Sequence, residues 1–136
     1  MVLFLLFGDK GLKIGALGAK ETKWFRSVGR DPYPALGRFI DFRGKRPVKA
    51  VVCGLADGPD SDWKASWSTV RSAVAMANAL ALAWSVPVAS LPVSGRESEE
   101  GLAAAARQVG LRAKGQGWIR AQYSGQPHIT KPKGRL

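Results

Sequence analysis

The sequence predicts one α/β domain in which an antiparallel three-strand meander precedes alternating helices and parallel strands. Three observations support this fold class. Three short segments rich in strand-forming residues come first and are joined by glycine-containing turns. A predominantly apolar run, residues 48–53, is typical of a buried parallel strand. A long segment rich in Ala and Leu then predicts a helix, and further strand and helix patterns follow it.

The meander is predicted from the first 28 residues. Val2 to Phe7 is a continuous apolar run that ends in the turn sequence Gly8 to Gly11. Leu12 to Leu17 and Thr22 to Val28 predict the second and third strands. The opening run is far shorter than the ~20 residues of a membrane span and no Lys or Arg precedes it, so we expect a strand and no membrane contact.

The first helix is expected after Asp31, whose side chain can cap it, and Pro32, which presets its first turn. Leu36, Phe39 and Ile40 are spaced to share one face of this helix. That face can contact a partner or pack in the core, and the sequence leaves both alternatives open.

A second helix is predicted from Ser66 or Ser68, either of which can cap it, to about Ser85. The expected core face comprises Thr69, Ala73, Met76, Leu80, Ala83 and Trp84. The opposite face comprises Arg71, Val74, Asn78, Ala81, Leu82 and Ser85. This opposite face has little charge, which suits close helix packing against a partner; the alternative is that the chain's own first helix or tail covers it.

The remaining elements are a strand at Val86 to Leu91 and a third helix at Glu97 to Val109, which Gly110 is expected to end. A last strand is predicted at Trp118 to Tyr123. We therefore divide the chain into a domain, residues 1–115, and a basic tail, residues 116–136.

The order of elements is that of the ribonuclease H-like half-domain of the actin superfamily. Members that bind ATP hold it between two such half-domains, with an acidic residue and a Gly-Thr turn after the first strand. The turn here is Phe7 to Gly11, and no second half-domain is expected, so we predict no nucleotide cofactor.

Catalytic and metal-binding motifs are also missing from the sequence. It contains no Walker lysine loop, GxGxxG, HExxH or GxSxG pattern. His128 lies in a tail rich in Pro and Lys, where a solvated side chain is expected. Asp57, Asp60 and Asp62 are spaced faintly like a calcium loop, but no bidentate Glu ends it. We expect no catalytic residue and no metal.

The segment from Ala50 to Leu91 resembles the TsaB (YeaZ-type) family, which acts in tRNA threonylcarbamoyladenosine synthesis. Gly58-Pro59 matches the Gly-Pro of the family's Gly-Pro-Gly-Ser-Phe-Thr motif, and residues 66–71 match its Ser-Phe-Thr-x-Val-Arg. Residues 77–81, Ala-Asn-Ala-Leu-Ala, match its helix signature, and residues 127–130 are similar to its terminal Pro-Asn-Ile-Thr. The chain departs from the pattern by five additional residues between the two parts of the motif and by Ala65 in place of a glycine.

The resemblance implies a noncatalytic scaffold that pairs with TsaD, the ATP- and metal-dependent enzyme that modifies the adenosine next to the tRNA anticodon. In the family, the first two helices of this domain form a helix bundle with TsaD. The resemblance thus adds a partner to the helix faces described above, and the same face can also serve a homodimer.

The charge balance supports an alternative. The formal net charge is +11 and the isoelectric point is near 10.4, values that favour polyanions such as RNA. A stand-alone basic RNA-binding module, or direct tRNA contact by a scaffold, is the competing prediction. A peptidase, as proposed for some of the wider family, would need a nucleophile with a base beside it, and we find no such pair in the sequence. The single cysteine, Cys53, predicts a reducing cytoplasm.

Overall fold

The computed structural model describes residues 1–122, so His128 and the family-like segment at 127–130 lie outside it. The strands are β1 (Val2–Gly8), β2 (Gly11–Leu17), β3 (Thr22–Ser27), β4 (Ala50–Ala56) and β5 (Val88–Val93). The helices are α1 (Tyr33–Arg43), α2 (Trp67–Trp84) and α3 (Glu99–Arg112). This order confirms the predicted meander, followed by alternating helices and strands.

The strands form one mixed sheet in the order β3-β2-β1-β4-β5. β1 pairs antiparallel with β2 and parallel with β4, so it is the central strand, and β5 extends the parallel half. Every residue of β1 and of β4 is buried. Such continuous burial requires helices on both sheet faces, as expected for the parallel part of a sheet.

Two hydrophobic clusters lie on opposite faces of the sheet, and β1 contributes to both because its successive side chains point to opposite faces. Leu3, Leu5 and Phe7 enter the first cluster, which α1 and α2 cover. Val2, Phe4 and Leu6 enter the second cluster, which α3 covers. The domain therefore has three layers with the sheet in the middle.

The predicted cap is confirmed for α2, whereas α1 has Pro32 at its capping position and no side-chain cap, which corrects the prediction for Asp31. The Ser66 hydroxyl accepts a hydrogen bond from the Thr69 N–H at 3.2 Å and begins α2. Asp31 Oδ1 accepts from the Tyr33 N–H at 3.0 Å, one residue before the capping position of α1. Helix α3 begins after Ser98, whose hydroxyl accepts from Gly101, and therefore starts two residues later than predicted.

Gly110 does not end α3, which corrects the sequence prediction. The helix continues to Arg112, and Gly110 is buried where α3 crosses β1. A Cβ atom at this position would lie 2.6 Å from Cγ2 of Val2. The missing side chain thus permits close helix–sheet packing.

Residues 113–122 form neither helix nor strand, so the strand predicted from Trp118 is wrong over residues 118–122. The segment folds back instead, and Ile119 and Ala121 pack against the first cluster. Within residues 1–122, no helix is both long and apolar enough to cross a bilayer.

Gly37 and Gly110, both inside helices, allow a matched stability test. In α1, a Cβ at Gly37 meets nothing within 4 Å, so Gly37→Ala should stabilise the fold by about 0.5–1 kcal/mol through backbone entropy. In α3, Gly110→Ala forces a shift of Val2 and should destabilise by about 1–3 kcal/mol. Urea denaturation of both variants measures the difference, and an equal response at the two positions would contradict the close packing.

Candidate functional site

Helix α2 turns a stripe of small residues toward the sheet. Val70, Ala73, Ala77 and Ala81 are its buried residues, and Ala81 is only 4% exposed. This corrects the assignment of Ala81 to a partner face, because it belongs to the chain's own core. It also corrects the predicted core face, because Ala83 is exposed while Met76, Leu80 and Trp84 pack at its margin.

The outward side of α2 is also made of small residues. We call it the outer α2 surface; its exposed members are Ser68, Arg71, Ser72, Ala75, Ala79 and Leu82. Leu82 is 62% exposed, and Arg71 is the charged residue of the set. The sequence prediction included Arg71 and Leu82 but missed Ser68, Ser72, Ala75 and Ala79. The recurrence of Ser or Ala at positions 68, 72, 75 and 79 is the signal that could have identified them.

Helix α1 contributes less surface than its sequence pattern suggested. Phe39 is fully buried and contacts the rings of Phe25 and Trp84, so it is a core residue and not a partner contact. Leu36 is partly buried against the same core. Ile40, at 44% exposed, remains on the surface, as does Tyr33.

Asn78 is occupied by the chain's own tail. Its side-chain Nδ2 donates to the Ile119 carbonyl at 3.1 Å, and its Oδ1 accepts from the Ile119 N–H at 3.0 Å. Val74 is partly buried in the first cluster, to which Ile119 also packs. Asn78 is therefore covered by the chain's own tail, the second of the two alternatives given above. Its carboxamide holds the Ile119 backbone through both hydrogen bonds, an arrangement we call the Asn78 clamp.

A shallow cavity of 160 Å³ lies between α2 and the folded-back segment, with Leu82 and Trp118 at its wall. Trp118 is 72% exposed, which places an aromatic surface beside Leu82. Ser85, the last predicted contact, is exposed and ends α2 in a left-handed conformation at φ 55°. Of the predicted partner contacts, four are therefore exposed: Ile40, Arg71, Leu82 and Ser85.

At the carboxyl edge of the sheet, where β1, β4 and β5 end, the loop after β4 closes over the β1 turn. The Asp9 N–H donates to the Lys64 carbonyl at 2.8 Å, and Asp9 Oδ1 accepts from the Ser66 N–H at 2.9 Å. The Trp63 ring covers Gly8 so closely that a Cβ there would lie 2.6 Å from it. The loop therefore covers one side of the turn that follows the first strand.

The same edge carries charged groups that are already engaged. Asp62 pairs with Arg96 at 2.9 Å, and Glu97 accepts hydrogen bonds from the backbone N–H groups of Ser94, Gly95 and Arg96. Within residues 1–122, no three acidic, His or Cys side chains are gathered as a metal site. An open groove of 650 Å³ remains between the β1–β2 turn and the start of α2.

Cys53 carries a thiol in β4, and it is fully buried. Burial raises the pKa of its thiol to about 12. Because the thiolate is the reactive form, the buried thiol is chemically inert near neutral pH.

The architecture defines a ribonuclease H-like half-domain with an actin-type order of elements, as the sequence predicted. Among solved structures, the chain is similar to YeaZ from Pseudomonas aeruginosa, with a TM-score of 0.53, 20% identity and coverage of 67% of this chain and 44% of that one. It is also similar to a protein with similarity to the peptidase YeaZ from Pseudomonas aeruginosa, with a TM-score of 0.50, 19% identity and coverage of 68% and 44%.

The chain spans less than half the length of both structures. No family model matches its sequence. The comparisons agree with the resemblance read from residues 50–91 and establish it at the level of the fold.

The Asn78 clamp is testable by hydrogen exchange. Asn78→Ala removes both hydrogen bonds to Ile119, worth about 1–3 kcal/mol together, and should speed exchange of the Ile119 amide roughly tenfold or more. Ser72→Ala on the outer α2 surface is the matched control and should leave that amide unchanged. Unchanged exchange in the Asn78 variant would show that the clamp does not hold the segment.

A second test uses Glu99, at the start of α3, which pairs with Lys13 at 2.8 Å and Arg26 at 2.9 Å. The hydrogen bond from Lys13, assisted by that from Arg26, lowers the pKa of Glu99 although partial burial opposes the shift. A lowered folded-state pKa contributes stability above the unfolded value of about 4.3, and this contribution is lost as the pH falls through the folded pKa.

Glu99→Gln should therefore reduce the free energy of unfolding at neutral pH, and the difference from wild type should vanish in acid. The control Glu100→Gln changes the neighbouring exposed carboxylate and should show a smaller dependence on pH. Denaturant titrations between about pH 3 and pH 7 measure the free energy of unfolding of the wild type and both variants at each pH. A difference that persists in acid would exclude the ion pair as its cause.

Proposed function

We propose that this chain is a noncatalytic cytoplasmic subunit that pairs with a larger, TsaD-like partner in the threonylcarbamoylation of the tRNA adenosine next to the anticodon. The observation that carries the proposal is the outer α2 surface. It is exposed, small in side-chain volume and poor in charge, whereas a helix face that stays in water normally carries charged residues.

The composition of this surface suits a helix–helix contact. Ser and Ala side chains let two helix backbones approach closely and lose little or no rotamer entropy when buried. Leu82 on α2 and Ile40 on α1 are exposed apolar side chains, and burying one such side chain contributes on the order of 1.5–3 kcal/mol. The similarity of the fold to YeaZ adds weight, since the proposed contact uses the two helices that the TsaB resemblance implies.

The carboxyl edge supports a role without catalysis. Trp63 lies over Gly8, at the place where ATP-binding relatives hold phosphates after their first strand. Asp9, in the turn, fixes the start of α2 through its hydrogen bond to Ser66. The buried thiol of Cys53 is unsuited to act as a nucleophile.

The same small-residue face would also accept a second copy of the chain. A homodimer and the proposed heteromer compete for one surface, so they exclude each other on a given molecule. Binding of the larger partner should therefore dissociate any homodimer, and size-exclusion chromatography of the mixture distinguishes the two states.

A charged side chain in the middle of the outer α2 surface should abolish the complex. Ala79→Arg places a long cation at an exposed helix position, where it should leave the fold intact and reduce copurification with the TsaD-like subunit at least about tenfold, because an unpaired charge would be desolvated. Ala104→Arg, at an exposed alanine of α3 on the opposite sheet face, is the matched control.

Circular dichroism of both variants checks that the fold is retained. Complex formation by Ala79→Arg at the wild-type level would place the partner elsewhere, and loss in both variants would point to a general effect of added charge.

A further inference from the structure

The chain's charges separate between the two edges of the sheet. All but two of the ten acidic residues lie at the carboxyl edge, in the segments 9–10, 28–31, 57–64 and 94–100. Glu21 and Asp41 are the exceptions. This separation is invisible along the sequence, where basic residues are spread evenly, and it arises because the topology gathers distant turns at each edge.

The amino edge, where β1, β4 and β5 begin, is correspondingly basic. The β2–β3 turn with the start of β3, and the end of α1 with the loop that follows it, bring six cations there: Lys20, Lys23, Arg43, Lys45, Arg46 and Lys49. The Lys49 N–H donates to the Met1 carbonyl at 2.8 Å, which fixes that loop beside the start of β1. None of the six forms an ion pair within residues 1–122. Their charges are therefore not neutralised by direct ion pairs.

This edge is concave. A groove of 380 Å³ lies between the two basic loops and is lined by Lys23, Arg46 and Phe42, with Glu21 as the acidic residue at its wall. Phe42 is 38% exposed, and the Arg46 guanidinium lies 4.4 Å from its ring centroid. Arg46 also donates to the Arg43 carbonyl, so its planar group is held over the aromatic ring.

We infer that the amino edge is an RNA-binding surface, in which the lysines contact backbone phosphates and the Phe42–Arg46 pair takes an unpaired base. Lys and Arg side chains without ion pairs release the counterions of a nucleic acid when they bind it, which supplies affinity. Because the Arg46 guanidinium covers the Phe42 ring, the base would stack on the outer face of the guanidinium plane, which the ring supports from below. A flat anionic membrane would use the charges but not the groove.

This inference does not rest on the proposed subunit role. The amino edge lies at the end of α1, and the proposed partner contact lies along the outer α2 surface. A chain that binds RNA without a partner, or a partner without RNA, would separate the two.

The test compares two variants of equal charge. Lys23→Ala with Lys49→Ala removes two exposed cations of the amino edge, and Lys10→Ala with Arg30→Ala removes two exposed cations of the carboxyl edge. No hydrogen bond or ion pair of these four side chains is present within residues 1–122, so both variants should fold. The probe is a fluorescent single-stranded RNA of about 16 nucleotides, measured by anisotropy over a range of salt concentrations.

The amino-edge variant should bind about tenfold or more weakly at about 0.1 M salt, and the slope of log K against log salt should fall by about 1.4, or 0.7 for each lost phosphate contact. The carboxyl-edge variant should change affinity by less than about threefold, since its cations lie among acidic residues. Glu21→Gln should bind more tightly than wild type.

Equal weakening in both double variants would overturn the inference, because net charge alone would then explain binding. So would a chain that binds anionic phosphatidylserine vesicles through Lys23 and Lys49 but binds the RNA weakly and independently of them. Loss of affinity on Phe42→Ala, with the salt slope unchanged, would support the stacking role.

Discussion

The burial of β1 on both sides is the constraint on which the rest of the structure depends. Its residues supply both hydrophobic clusters, so the sheet must be covered by α1 and α2 on one face and by α3 on the other. Close coverage requires small residues at the crossings. Gly110 provides this for α3, and Ala73, Ala77 and Ala81 provide it for α2. Small side chains also line the outward side of α2, where they leave a surface suited to another helix.

The order and type of the elements could be predicted because local patterns determine them. Apolar runs predicted β1 and β4, glycine-containing turns predicted the meander, and Ser66 predicted the start of α2. These signals depend on residues near one another in the chain. They also agree with the global fold, which is the condition under which sequence reasoning succeeds.

The orientation of α2 was less predictable because alanine occupies all sides of the helix. With small residues at both buried and exposed positions, hydrophobic periodicity is weak and cannot decide which side faces the sheet. Asn78 could not be paired with Ile119 from the sequence, since 41 residues separate them. The charge separation between the sheet edges likewise depends on topology, which brings the turn after β2 beside the loop after α1.

Cys53 lies in β4 with no accessible surface and is the sole cysteine of the chain. Its side chain lies between the sheet and the helices α1 and α2, so a thiol reagent can reach it only when that layer separates or the sheet opens, and the rate of labelling reports on such an opening. Surface fraying of a helix end leaves the label out, whereas separation of the central strands admits it. The thiol of Cys53 is therefore a built-in probe of cooperative unfolding in the native molecule.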